Sequence, residues 1–159
     1  MKQKIYLIED QENEFNLVKA RLFEYEIIPN NYEDGFIEVK DYLKYPTKVN
    51  RKRVVDFILG NSIDIIILDI ELWDDKYGGI HLYDQIISQE QALQHVIVIY
   101  LTKTTLQSDL TLTKTNAYVE KKINSRGFDV DSTVAIIKNE IHKLLKMRDS
   151  NSQWFIDNL

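Results

Sequence analysis

The run Ile63-Asp64-Ile65-Ile66-Ile67-Leu68-Asp69 constrains the fold more than any other part of this chain. It is aliphatic almost without a break, whereas a strand with one wet face would alternate apolar and polar residues. The run therefore reads as a central strand of a parallel sheet, covered on both faces. Parallel neighbours cannot be joined by hairpins, so such a sheet demands crossover helices between its strands.

The rest of the chain meets that demand. Ile5-Tyr6-Leu7-Ile8 is a second continuous apolar run of strand type. From Asn13 the period changes, and Phe15, Val18, Leu22 and Tyr25 mark an amphipathic helix. Ile27-Ile28 stops at Pro29 and suits a short edge strand. Phe36, Val39, Tyr42 and Leu43 predict a helix that ends before Pro46, and Val54, Phe57 and Ile58 another, closed by Gly60-Asn61. Between them Lys48-Val49-Asn50-Arg51-Lys52-Arg53 is expected as a solvated basic loop, with a nucleic-acid or partner patch as the minor reading. Gly78-Gly79 precedes a helix marked by Ile80, Tyr83 and Ile87. Residues 96–101 form another buried strand, and Ala117-Tyr118-Val119 a short fifth one. Residues 106–115 stay open: Leu110-Thr111-Leu112-Thr113 alternates like a strand where the order calls for a helix. Val130, Val134, Ile137, Ile141 and Leu144 step by four and three along a long final helix. Five strands alternating with helices imply right-handed βαβ units and an α/β architecture.

Composition narrows the function. A chain of 159 residues with 44% apolar residues can build one domain around a substantial core. A formal charge of −5 gives no net field for nucleic acid. Cysteine is absent, which excludes disulfide frameworks and thiolate zinc sites, and His81, His95 and His142 show no ligand spacing. No segment reaches the roughly 18 consecutive apolar residues that a membrane span needs. The first apolar run is cut off at once by Glu9-Asp10, unlike a secretory signal. A cytoplasmic protein without membrane contact is the expectation.

In open parallel sheets ligands sit at the carboxyl ends of the strands. The polar residues at those ends are Glu9-Asp10, Asp69, Thr102 and Glu120-Lys121-Lys122. Three carboxylates on one rim stay ionised together only beside a cation, or else one of them has its pKa raised; a hard divalent ion with oxygen ligands, Mg2+ above all, is the natural partner. Lys121 would add positive charge, and the set would then bind a phosphoryl group, with a carboxylate as its acceptor.

The ordered set Glu9-Asp10, Leu68-Asp69-Ile70, Leu101-Thr102 and Ala117-Tyr118-Val119-Glu120-Lys121 resembles the receiver domain of two-component response regulators, over about residues 3–147. The resemblance implies a flavodoxin-like (βα)5 fold with strand order 2-1-3-4-5, a receiver domain over residues 1–148 and a tail over 149–159. It implies Asp69 as phosphoacceptor, Glu9, Asp10, Asp69 and the backbone carbonyl of Glu71 as Mg2+ ligands, and Lys121 as the lysine that pairs with phosphate. Thr102 matches the switch hydroxyl and Tyr118 the switch aromatic, although Tyr118 reads equally well as a core aromatic. The implied partners are a histidine kinase or phosphotransfer protein, a downstream protein target and, as an option, a second copy of the chain. Nucleic acid is not among them. The domain would catalyse only its own phosphorylation and dephosphorylation.

Departures from the family pattern are Lys122 where proline usually follows the lysine and Trp73 in place of another frequent proline. The loop before Gly78 is slightly long, residues 38–60 carry an insertion, and the stretch between Thr102 and Lys121 is short. These departures motivate an alternative, a receiver-like binding module that works without phosphorylation. A phosphatase acting on a separate substrate, with Glu71 as acid or base, fits the element order poorly. Trp154-Phe155 either folds back on the domain or marks a linker or partner contact.

Overall fold

The computed structural model describes residues 2–103 and 116–150. Residues 106–115, whose two readings stood open, and the pair Trp154-Phe155 lie outside the described residues.

The five expected strands are present: β1 (Lys4–Ile8), β2 (Glu26–Ile28), β3 (Ile65–Asp69), β4 (Ile97–Thr102) and β5 (Asn116–Glu120). They form one parallel sheet in the order β2-β1-β3-β4-β5, the doubly wound order expected from the sequence. Burial follows position. Every residue of β3 and β4 is buried, whereas β2, at the edge, exposes Glu26 and ends against Pro29. Among the described residues five α-helices cover the sheet: α1 (Glu12–Arg21), α2 (Ile37–Lys44), α3 (Lys48–Gly60), α4 (Gly78–Leu82) and α5 (Val130–Ser150). α1 packs beside α5 on one side of the sheet, and α2 packs against α3 and α4. Val130, Val134, Ile137, Ile141 and Leu144 of α5 are all buried, so the four-three stepping is the stripe that meets the sheet.

Several local expectations are corrected. The basic segment is helix, not loop. Thr47 caps α3, its hydroxyl accepting from the Asn50 N–H at 3.1 Å, and Pro46 just upstream suits such a start. Three of its four cations pair within the chain: Arg51 with Glu90 at 3.0 Å, Arg53 with Asp41 at 2.9 Å, and Lys52 with Asp56. The first helix ends at Arg21, and Tyr25 is buried in the turn beyond it. Gly78 and Gly79 lie inside the first turn of α4 rather than before it. There the Cβ of any larger residue at 79 would fall 2.1 Å from the carbonyl oxygen of Asp69, so glycine is what lets α4 start against the end of β3. α4 runs on as one π-helical turn, Tyr83–Ile87. α5 continues to Ser150, two residues into the expected tail.

After β5 comes an unexpected two-stranded hairpin, β6 (Ile123–Asn124) with β7 (Gly127–Phe128). Gly127 holds φ at 105°, a conformation that favours glycine at the return of the hairpin. Among the described residues no helix is long and apolar enough to cross a membrane.

Candidate functional site

The sheet register brings the strand ends together. Ile8 lies abreast of Leu68, Asp69 abreast of Leu101, and Thr102 abreast of Glu120. At the last residue of a strand or one step beyond it, Glu9, Asp69, Thr102 and Lys121 therefore share one rim. The Lys121 N–H donates to the Thr102 carbonyl at 2.7 Å and extends the β4–β5 pairing up to the lysine.

Lys121 is the centre of the site. Its ammonium donates to Asp69 Oδ2 at 2.8 Å, Glu9 Oε2 at 2.9 Å and Glu14 Oε2 at 2.8 Å, with 1% of the side chain exposed. Three carboxylates thus saturate the three N–H donors of one buried cation. The Phe128 ring, carried by the β6–β7 hairpin, lies over the same nitrogen, 5.9 Å from it. Thr133 anchors the chain just past Lys121, its hydroxyl accepting from the Lys122 N–H at 2.9 Å.

The remaining oxygens of Glu9 and Asp69 are held by backbone. Glu9 Oε1 accepts from the Gln11 N–H at 3.1 Å, and Asp69 Oδ1 from the Glu71 N–H at 3.3 Å. Asp10 Oδ2 accepts from the Trp73 N–H at 2.9 Å, and the Asp10 carbonyl accepts from the Tyr32 hydroxyl. Trp73 reaches Asp10 because the loop after β3 is pinched by reciprocal bonds between Leu72 and Asp75, with Trp73 at a φ of 51°. Its ring packs 5.6 Å from Phe36 under the Lys40 ammonium.

Burial and like charge act together on Glu9. Burial first, and then the negative charge of Asp69, push its carboxyl up to about 9 against the pull of Lys121. For Lys121 burial works against the charge, but Glu9 and Asp69 outweigh it and hold the ammonium above its ordinary range. Burial also opposes the charge of Glu14, and there Lys121 and Lys103 prevail and hold the carboxyl below its ordinary value. Glu9 and Asp69 thus bring more negative charge to this rim than the one buried ammonium offsets.

The donor set fits a divalent ion. Ligand atoms of Glu9, Asp10 and Asp69 all lie within 4.8 Å of one another. Oxygen donors without nitrogen or sulfur are those Mg2+ takes. A cleft of about 240 Å³ opens beside them, lined by Asp10, Gln11, Asp69, Glu71, Trp73, Thr102 and Lys103. Glu71, expected as a ligand through its backbone carbonyl, lines the cleft. Thr102 is buried at the end of β4 and lines the same cleft. Tyr118 is partly buried on β5 and packs against the core.

Every expected site residue at the strand ends falls on this one rim. Two contributors were not anticipated. Glu14 is buried on α1 four residues after Asp10, and its position three and four residues before Leu17 and Val18 was the available signal. Phe128 comes from the hairpin, whose Asn124-Ser125-Arg126-Gly127 turn composition was legible between two apolar residues.

No protein-family model and no curated protein sequence matches the chain. Solved structures do. The phosphorylated cyanobacterial phytochrome response regulator RcpA superposes with a TM-score of 0.59 at 19% identity, over 92% of this chain and 96% of that one. The Mn2+-bound response regulator Rcp1 gives 0.55 at 19% identity, over 86% and 91%. The BeF3-activated DrrB receiver domain gives 0.54 at 17% identity, over 92% and 99%. The likeness spans nearly the whole chain and lies in the backbone: this protein has the flavodoxin-like fold of receiver domains.

Proposed function

We propose that this receiver fold works as a phosphorylation switch, with Asp69 as the acceptor and a histidine kinase or phosphotransfer protein as the donor. The observation that carries the reading is the convergence on Asp69: a buried ammonium on one oxygen, and two further carboxylates within ligand reach of one another. Glu9, Asp10 and Asp69, with Glu71 beside them, would hold Mg2+. The ion supplies charge neutralisation for a phosphoryl group.

The chain's own residues account for the rest. An Asp69 carboxylate oxygen forms the new O–P bond while the P–N bond of a donor phosphohistidine breaks, its electron pair staying on the imidazole. Lys121 stands 2.8 Å from Asp69 and offsets the negative charge that arrives. The Thr102 hydroxyl lines the cleft on the neighbouring strand and donates to the new phosphoryl oxygen. Later attack by water on phosphorus returns Asp69 to a carboxylate and releases phosphate, so the protein catalyses only its own cycle. Movement of Thr102 toward the phosphoryl group biases Tyr118, two strand positions away across the β4–β5 ladder, between two packings that a downstream protein distinguishes. The switch acts in the cytoplasm through protein partners, not through nucleic acid.

A second reading is a binding module indifferent to phosphorylation. It draws on the saturation of Lys121 by three carboxylates, an arrangement also suited to a purely structural ion cluster. One experiment separates the two. The protein is incubated with Mg2+ and acetyl phosphate and its intact mass measured. The switch requires a gain of one phosphoryl group that Asp69→Asn abolishes. A wild-type chain that neither gains mass nor binds Mg2+ rejects it.

A further inference from the structure

Glu14 stands outside the trio of carboxylates that an ion would use, yet it is bonded to the same ammonium. Its two oxygens serve two different lysines: Oε2 accepts from Lys121 at 2.8 Å and Oε1 pairs with Lys103 at 3.0 Å. Glu14 is buried on α1, Lys121 follows β5, and Lys103 follows Thr102 directly at the end of β4. Lys103 also lines the cleft. One carboxylate thus ties α1 to the ends of two neighbouring strands, and both ties are cations that an anion in the cleft would attract.

The charges explain why this matters. Glu9 and Asp69 share Lys121 with Glu14, but either can turn toward a divalent ion, being ligand candidates themselves. Glu14 is not in that group. Both of its oxygens are committed to ammonium groups, so its charge is set against Lys103 and Lys121 rather than offered to an ion. A fixed negative charge beside the cleft favours a cation and disfavours an anion, by the same Coulomb interaction with opposite sign.

We propose that Glu14 is a positioning residue that orders binding at the site: by neutralising Lys103 and Lys121 it makes the cleft take a divalent cation first and an anion only afterwards. The inference rests on the reading of the site as an ion-dependent phosphoryl acceptor. A residue that merely stabilised the fold would weaken both kinds of binding when replaced. A charge-setting residue moves them in opposite directions.

The test is a pair of calorimetric titrations on the full chain, Mg2+ alone and then beryllofluoride, a phosphoryl mimic, at saturating Mg2+. Glu14→Gln should weaken Mg2+ about fivefold and tighten beryllofluoride about fivefold, the scale expected for one partly screened charge. Glu14→Asp should restore both. Lys103→Gln alters an exposed side chain, so it probes the same charges with little risk to the fold, and it should shift both constants the opposite way. Constants that fall together in Glu14→Gln, or that stay put in both Glu14→Gln and Lys103→Gln, overturn the proposal while leaving the acceptor reading intact. A wild-type chain that binds neither probe overturns the acceptor reading, and this inference with it.

Discussion

The ammonium of Lys121 lies 2.8 Å from Asp69 Oδ2, although 52 residues separate them. Both are buried, and Glu9 and Glu14 close around the same nitrogen. Lys121→Met would leave three carboxylates facing one another with no protein cation between Glu9 and Asp69. Breaking a buried ion cluster from one side costs about 3 kcal/mol or more. The expected result is a large fall in the denaturation midpoint in chelator, recovered in part by Mg2+. A variant as stable as wild type without the ion would contradict the placement of Lys121 at the centre of the site.

The raised carboxyl of Glu9 has a signed consequence for pH. Its ordinary value of 4.5 rises to about 9 on folding, so folding takes up a proton between those limits. The stability that this contributes is complete below 4.5 and is lost as the pH climbs through 9. Lys121 is raised above its own ordinary range, so its contribution is lost only at higher pH, and that of Glu14, whose carboxyl is lowered, only in acid. In chelator the thermal midpoint should therefore drop from pH 5.5 to pH 9 by several degrees. Glu9→Gln should flatten that slope. Parallel curves for the two proteins would rule the explanation out.

Trp73 should report on the ion site. Its backbone N–H holds Asp10 Oδ2 at 2.9 Å, and its ring packs against Phe36 and Lys40. An ion that draws on the Asp10 carboxylate changes the hydrogen bond that places the indole. Titration with Mg2+ should change the tryptophan emission, and Trp73→Phe should remove the change while leaving Trp154 in place. An unaltered response in Trp73→Phe would show that the signal arises elsewhere.

Gly79→Ala tests the contact between α4 and β3. The added Cβ would meet the Asp69 carbonyl oxygen at 2.1 Å, and the Gly79 N–H donates to Ile70 at 2.9 Å beside it. Backbone must yield on one side, at a cost of about 3 kcal/mol. Chemical denaturation should show that loss. Because the displaced group belongs to Asp69, Mg2+ affinity should fall in the same variant. Gly60→Ala, where a Cβ meets nothing within 4 Å, serves as the control and should retain both.

The sheet is legible in the sequence because parallel strands bury both faces. Ile65 to Leu68 and Ile97 to Leu101 announce themselves as apolar runs, and the carboxylates at their ends are conspicuous by contrast. Helix boundaries were harder. The basic residues 48–53 look solvated in sequence, and the helix there is declared by the Thr47 cap and by carboxylates at Asp41 and Glu90 that become neighbours only after folding. The β6–β7 hairpin was missed because its strands are two residues each, too short to show a period.

By itself, then, the amino-acid order determined the layered α/β fold, the strand order through its family resemblance, and the roster of rim residues. Those are local properties: apolar runs, periods of three and four, and the polar residue that ends each strand. Only the tertiary structure decided how the charges are shared. That Glu14 joins Glu9 and Asp69 on Lys121, that Phe128 covers the ammonium, and that Trp73 holds Asp10 depend on side chains from different elements meeting in space. Spacing along the chain could place Glu14 on a buried helix face and Phe128 beside a turn, but Coulomb interactions act through distance, so which charges meet on Lys121 was decided only by the folded structure.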